Sequence, residues 1–134
     1  MIIQPYVMFD GRADEAFAFY AETLGAKVNF LMRFKECPDQ SCMPEGTEEK
    51  VMHAELQIGE SVVMASDGNC EGKPSFQGIS LSILVKDLSE GERIFGALSN
   101  GGQVQMPFGK TFFSPGFGMA ADKFGVSWMV VVQQ

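Results

Sequence analysis

The chain has 134 residues, of which 46% are hydrophobic and 20% charged, and its formal net charge is −7. A chain of this size buries enough surface to fold as one domain without a structural metal, and three cysteines leave one unpaired in any disulfide scheme. A pI near 4.6 argues against nucleic acid or a membrane surface as partner, because an acidic surface repels phosphate backbones and anionic lipid.

In chain order, IIQPYVMF is rich in β-formers and stops at Asp10-Gly11, a turn signal. No apolar run approaches the ~20 residues of a membrane span, and this N-terminal stretch lacks the basic start of a signal peptide. A cytoplasmic protein is therefore expected. Ala16, Phe17, Phe19, Tyr20 and Leu24 then recur at helical spacing, with Asp14 and Glu15 in the first turn and Gly25 after the last. KVNFLMRF reads as a strand. From Lys35 to Lys50, prolines, a glycine and charged residues destroy any periodicity, which predicts a long exposed loop, mobile without ligand and able to act as a lid.

VMHAELQIG alternates, with Met52, Ala54, Leu56 and Ile58 on one face and His53, Glu55 and Gln57 on the other. Gly59-Glu60 turns it into SVVMAS, and a polar stretch from Ser66 to Gly78 reads as a linker. GISLSILV is a strand, and DLSEGERIFGALSN is a helix with Asp87 or Ser89 as N-cap and Gly101-Gly102 after it. QVQMPF is a strand, KTFFSPG a loop, and GMAADKFGVSWMVVV a hairpin turning near Lys123 to Gly125. Each half thus reads strand, helix, strand, strand, strand. Corresponding elements are offset by about 75 residues at Pro5 and Ser80, and by about 66 at Gly59 and Gly125, so an internal duplication is expected. Module 1 (about 1–67) and module 2 (about 78–134) form a single α+β domain joined by the polar linker.

The motifs PYVMFDGRADEAFAFY, HAELQIG, VMASD, ISLSILVKD and FGMAADKFGVSW, in this order and with the Phe108–Phe113 region, resemble the vicinal oxygen chelate (glyoxalase/bleomycin-resistance) superfamily. The resemblance covers essentially the whole chain and is closest to the PhnB-like branch, also labelled demethylubiquinone methyltransferase-like. It implies two βαβββ modules whose curved mixed sheets form a half-barrel around a small-molecule ligand, in many relatives with a divalent metal, and homodimers. The methyltransferase label lacks support in the residues, since no Gly-rich turn followed by an acidic ribose-binding residue occurs to hold a nucleotide-like cofactor.

In metal-binding relatives the resemblance puts the four ligands on the first and last strands of each module. Here those positions fall on Pro5, Val63, Ser80 and Met129, none of them an imidazole or carboxylate. No metal or other cofactor is therefore expected. The alternative is a metal-dependent lyase, isomerase or dioxygenase-type enzyme with a reshaped site around His53 and Glu55, drawing on Asp67 and Cys70. Because the helix takes the apolar sheet face, His53, Glu55 and Gln57 point into the expected cavity, otherwise lined by Val7, Val63, Ser80, Ser82, Phe113 and Met129. His53 is the candidate general base and Glu55 the residue that orients it. Cys37 and Cys42 lack the tight spacing of a redox or zinc motif and read as inert thiols. A dimeric scaffold without catalysis is the remaining reading.

Overall fold

The helical spacing of apolar residues after Asp10-Gly11 folds Ala13–Leu24 into α1, and Gly25 ends it at φ 68°, a left-handed conformation that a Cβ disfavours. The computed structural model describes residues 1–39, 45–68 and 70–134, and divides into two compact units, Met1–Pro74 and Ser75–Gln134. Unit 1 contains β1 (Tyr6–Met8), α1, β2 (Lys27–Arg33), a one-turn 3-10 helix (Phe34–Glu36), β3 (Val51–Ile58) and β4 (Ser61–Ser66). Unit 2 contains β5 (Leu81–Val85), α2 (Leu88–Ser99), β6 (Gln103–Gly109), β7 (Phe117–Ala121) and β8 (Ser127–Val132).

Each unit carries one four-stranded mixed sheet, in the orders β1-β4-β3-β2 and β5-β8-β7-β6. In both, the first strand runs parallel to the last and the other pairs are antiparallel. The α+β class and the repeated βαβββ plan read from the sequence are therefore present. Pleating separates two faces in each sheet. In unit 1, Val7, Ala65, Ala54 and Leu31 form one cross-strand row, and the buried Val7, Ala54, Leu56 and Ala65 meet the α1 side. In unit 2, Trp128, Val130 and Val132 are buried in the same way under Ile94, Phe95 and Leu98 of α2. Gly118 on β7 is required there, because a Cβ would lie 2.7 Å from the Phe95 ring.

Two expectations change. The first strand is shorter than IIQPYVMF, because Pro5 has no amide to donate and only its carbonyl joins the ladder, accepting from Met64 N at 2.9 Å. The loop from Lys35 to Lys50 is anchored at both ends. Phe34 and Lys35 amides donate to the Lys50 and Glu48 carbonyls, Arg33 forks onto Asp14, Lys35 pairs with Glu49, and Phe34 and Thr47 are buried. These contacts contradict free motion of its stems, which continue the β2–β3 pairing. Residues 40–44, including Cys42, lie outside the described residues.

Asp67, fully buried just beyond β4, ties the start of unit 1 together. Its Oδ1 accepts from the Gly11 and Ala13 amides at 2.9 and 2.8 Å, and its Oδ2 from the Val51 amide at 2.8 Å. Arg12 at the N-cap of α1 makes no side-chain cap, so the carboxylate that satisfies the helix N-terminus comes from a distant strand end.

Candidate functional site

The face of the unit 1 sheet opposite α1 carries the polar groups. One row crosses all four strands in register: Tyr6 on β1, Met64 on β4, Glu55 on β3 and Phe30 on β2. His53 is one same-face step along β3 from Glu55 and pairs with Met32. Its Nδ1 lies 2.9 Å from the Tyr6 hydroxyl, the two rings stack at 5.6 Å and 28°, and the Phe30 ring sits 5.9 Å away. Burial raises the Tyr6 phenol above its usual pKa, and a hydrogen bond from the Ser66 side chain acts in the opposite direction. Tyr6 and Phe30 nonetheless leave 42% and 44% of their surface exposed, so this aromatic-lined polar patch is open to a solute.

The partner of His53 is Tyr6 rather than Glu55. Two residues on one strand face stand about 6.6–6.8 Å apart along the strand, beyond hydrogen-bond reach. Glu55 itself makes no hydrogen bond or ion pair with any described residue. Gln57 shares the face, but its amide is occupied at the hairpin end, accepting from Asn29 at 3.1 Å and donating to the Gly59 carbonyl at 2.9 Å. Val7 and Val63 do not join these residues. Val7 pairs with Ala65 and Val63 with Leu56, on the face that meets α1, because adjacent positions on a pleated strand point to opposite sides.

In unit 2, Ser82 and Met129 are register partners on the face opposite α2, in a row continued by Met119 and Met106. Ser80 precedes β5 and its hydroxyl lies 2.9 Å from that of Ser127. Phe113 is half-exposed and packs edge-on against Phe117 at 5.0 Å. Sequence reasoning missed Tyr6. Anchoring the first strand on Phe19-Tyr20 selects Pro5, whereas sheet pairing makes Tyr6 the equivalent of Ser82 and Met64 the equivalent of Met129. A three-residue strand holds too little alternation to reveal that one-residue shift.

A family model described as 3-demethylubiquinone-9 3-methyltransferase matches residues 2–131. The chain belongs to this family. It is 36% identical to the protein YjdN of Escherichia coli (strain K12), covering 100% of this chain and 97% of that protein. The fold superimposes on a crystal structure of protein PA1353 from Pseudomonas aeruginosa with TM-score 0.88, at 40% identity and coverage of 100% and 98% of the two chains. A structure titled putative 3-demethylubiquinone-9 3-methyltransferase, PhnB protein, from Bacillus cereus gives TM-score 0.81 at 26% identity, covering 98% and 99%. A glyoxalase-related enzyme from Fulvimarina pelagi, at 16% identity and TM-score 0.61 over 99% of this chain and 88% of that one, shares the fold. The chain thus has the PhnB-like family kinship that the motifs implied, and the fold that it shares with the glyoxalase-related enzyme is the expected one.

Neither group that this kinship suggests fits the residues present. The family's description names a methyl transfer, but the β1–α1 turn offers no free Gly11 or Ala13 amide to a nucleotide-like group, since the Asp67 carboxylate already accepts from both. Pro5, Val63, Ser80 and Met129, the positions that the resemblance assigns to metal ligands, carry no imidazole or carboxylate, and neither does the Tyr6–Met64 and Ser82–Met129 pairing beside them, a poor donor set for a divalent ion. No group of three or more His, Cys, Asp or Glu side chains among the described residues is arranged to hold a metal. Asp67 is consumed by three backbone amides and the Cys70 thiol is pushed up in pKa, first by burial and then by Asp67, which removes both as helpers of His53.

Proposed function

We propose that the protein binds a small organic molecule on the open face of the unit 1 sheet, without a divalent metal, as a binding protein or as an enzyme. The observation carrying this reading is the cross-strand row Tyr6–Met64–Glu55–Phe30 beside His53. A part-buried carboxylate with no partner among the described residues, flanked by an aromatic ring and a thioether, suits recognition rather than packing, because packing alone would favour an apolar side chain there. Phe30 and Tyr6 supply flat apolar area, while His53 and Glu55 supply direction. The same reading has the chain act as a cytoplasmic homodimer. Among the described residues no helix is long and apolar enough to cross a membrane, and Ile2, Ile3, Ile79, Leu84 and Phe112 are exposed apolar groups that a second copy would cover.

The test is a small-molecule library screened by thermal shift, with each stabilising compound re-measured on His53→Ala and Glu55→Gln. Compounds held on this face lose at least about tenfold in affinity in one or both variants, equivalent to ~1.4 kcal/mol. Compounds that bind both variants as well as the parent protein would remove the site from unit 1. Elemental analysis and titration with nickel, zinc and manganese should show less than one equivalent bound, and light scattering should give twice the 14.7 kDa chain mass.

A further inference from the structure

The hydrogen bond at His53 has a direction, and the direction determines what the site offers. Tyr6 Oη and His53 Nδ1 are 2.9 Å apart, so one of them donates. Of the two groups the phenol is the stronger donor and an unprotonated imidazole nitrogen the stronger acceptor, so in the uncharged ring the Tyr6 proton goes to His53 Nδ1.

Resting on the small-molecule site proposed above, we infer that Tyr6 is a positioning residue that selects, in the uncharged imidazole of His53, the tautomer with its proton on Nε2. Stacking of the two rings at 28° and the neighbouring Phe30 ring restrict rotation of the imidazole, so the assignment is fixed in space as well as in protonation. Among the described residues nothing hydrogen-bonds Nε2. The site therefore presents an N–H donor to its ligand. The complementary ligand atom is an oxygen acceptor, a carbonyl, carboxylate or phenolate, on a molecule with an apolar or planar body to lie against Phe30 and Met64. The general-base role expected for His53 becomes a donor role, because its lone pair faces Tyr6.

His53 is the only histidine of the chain, so the ring nitrogens of the labelled protein give one set of signals in a long-range proton–nitrogen correlation spectrum. With the imidazole neutral, the expected result is one unaveraged tautomer, Nε2 protonated and Nδ1 a bare acceptor, with a slowly exchanging Tyr6 hydroxyl proton correlated to Nδ1. Tyr6→Phe keeps the stacked ring and removes only the donor. In that variant the two nitrogen signals should move toward an averaged pair, with the thermal transition reported alongside to show that the fold is intact. Nδ1 protonated in the parent protein, or identical nitrogen signals in the parent and Tyr6→Phe, would overturn the inference. These readouts need no ligand. A library in which no compound shifts the His53 signals would instead count against the binding reading and leave the tautomer result standing.

Discussion

Replacing Asp67 separates a structural carboxylate from a functional one. The side chain is 0% exposed and accepts three backbone amides, two of them, from Ala13 and Val51, fully buried. A hydrogen bond to a charged group contributes about 1.5–3 kcal/mol, and an orphaned buried donor costs its desolvation. Asp67→Ala removes both carboxylate oxygens and with them all three hydrogen bonds. The two buried bonds alone then represent about 3–6 kcal/mol, which water entering the vacated space reduces to about 3–5. Asp67→Asn keeps Oδ1 for Gly11 and Ala13 but turns an NH2 toward the Val51 amide, setting donor against donor, for a loss of about 2–3 kcal/mol.

Both variants are measured by urea unfolding followed by far-ultraviolet circular dichroism, where a lower midpoint at constant slope reports stability. For a chain of this length each kcal/mol lowers Tm by about 3–5 °C, so Asp67→Asn should fall by roughly 6–15 °C. A loss below ~0.5 kcal/mol for Asp67→Asn would refute the reasoning, because the three amides would then be satisfied by some other acceptor.

Glycines on α2 give a change of sign. Gly96 has open space where a Cβ would stand, so Gly96→Ala should stabilise by about 0.5–1 kcal/mol through helix propensity. At Gly91 a Cβ would lie 2.9 Å from Val132 Cγ2 and 3.1 Å from Phe108 Cζ, so Gly91→Ala should destabilise by about 1–2 kcal/mol in the same urea assay. The raised phenol of Tyr6 predicts a pH effect. The folded state holds this proton more tightly than the unfolded state, so the contribution is full below the unfolded value of about 10 and declines as pH rises through the folded value. Stability profiles above pH 9 should therefore fall more steeply for the parent protein than for Tyr6→Phe, and parallel curves would contradict the assignment.

The repeated plan was legible because each element carries a local signal. Helical spacing identified α1 and α2, and glycines marked their ends. The alternation in VMHAELQIG correctly placed His53, Glu55 and Gln57 opposite Ala54 and Leu56. What stayed hidden depends on pairing between distant strands. Val7 and Val63 were assigned to the ligand side because the helix and the hairpin turn served as rulers, and a ruler that is one residue out inverts every side chain on a strand. Tyr6 was invisible for the same reason. Asp67 entered only as a helper of the alternative site around His53 and Glu55, because a carboxylate near a histidine in sequence says nothing about the amides waiting for it at the start of α1.

The duplication also allows one copy to serve as a control for the other. Equivalent rows read Tyr6–Met64–Glu55–Phe30 in unit 1 and Ser82–Met129–Met119–Met106 in unit 2. The backbone surroundings match, so whatever packing requires at the β3 position is also required at the β7 position, where a thioether is sufficient. Glu55 is then a carboxylate kept where the scaffold accepts methionine, partly desolvated and without a cation among the described residues to offset that cost. Glu55→Met, which copies Met119 into unit 1, should raise stability by about 0.5–1 kcal/mol while weakening the binding of any compound that the thermal-shift screen assigns to this face. The two effects are measured on the same variant by urea unfolding and by titration. If Glu55→Met destabilises by more than ~1 kcal/mol, the carboxylate has a structural partner and its unpaired state is no argument for a ligand. If it stabilises and binding is unchanged, the ligand does not reach this row, and the chemistry must be sought elsewhere on the sheet.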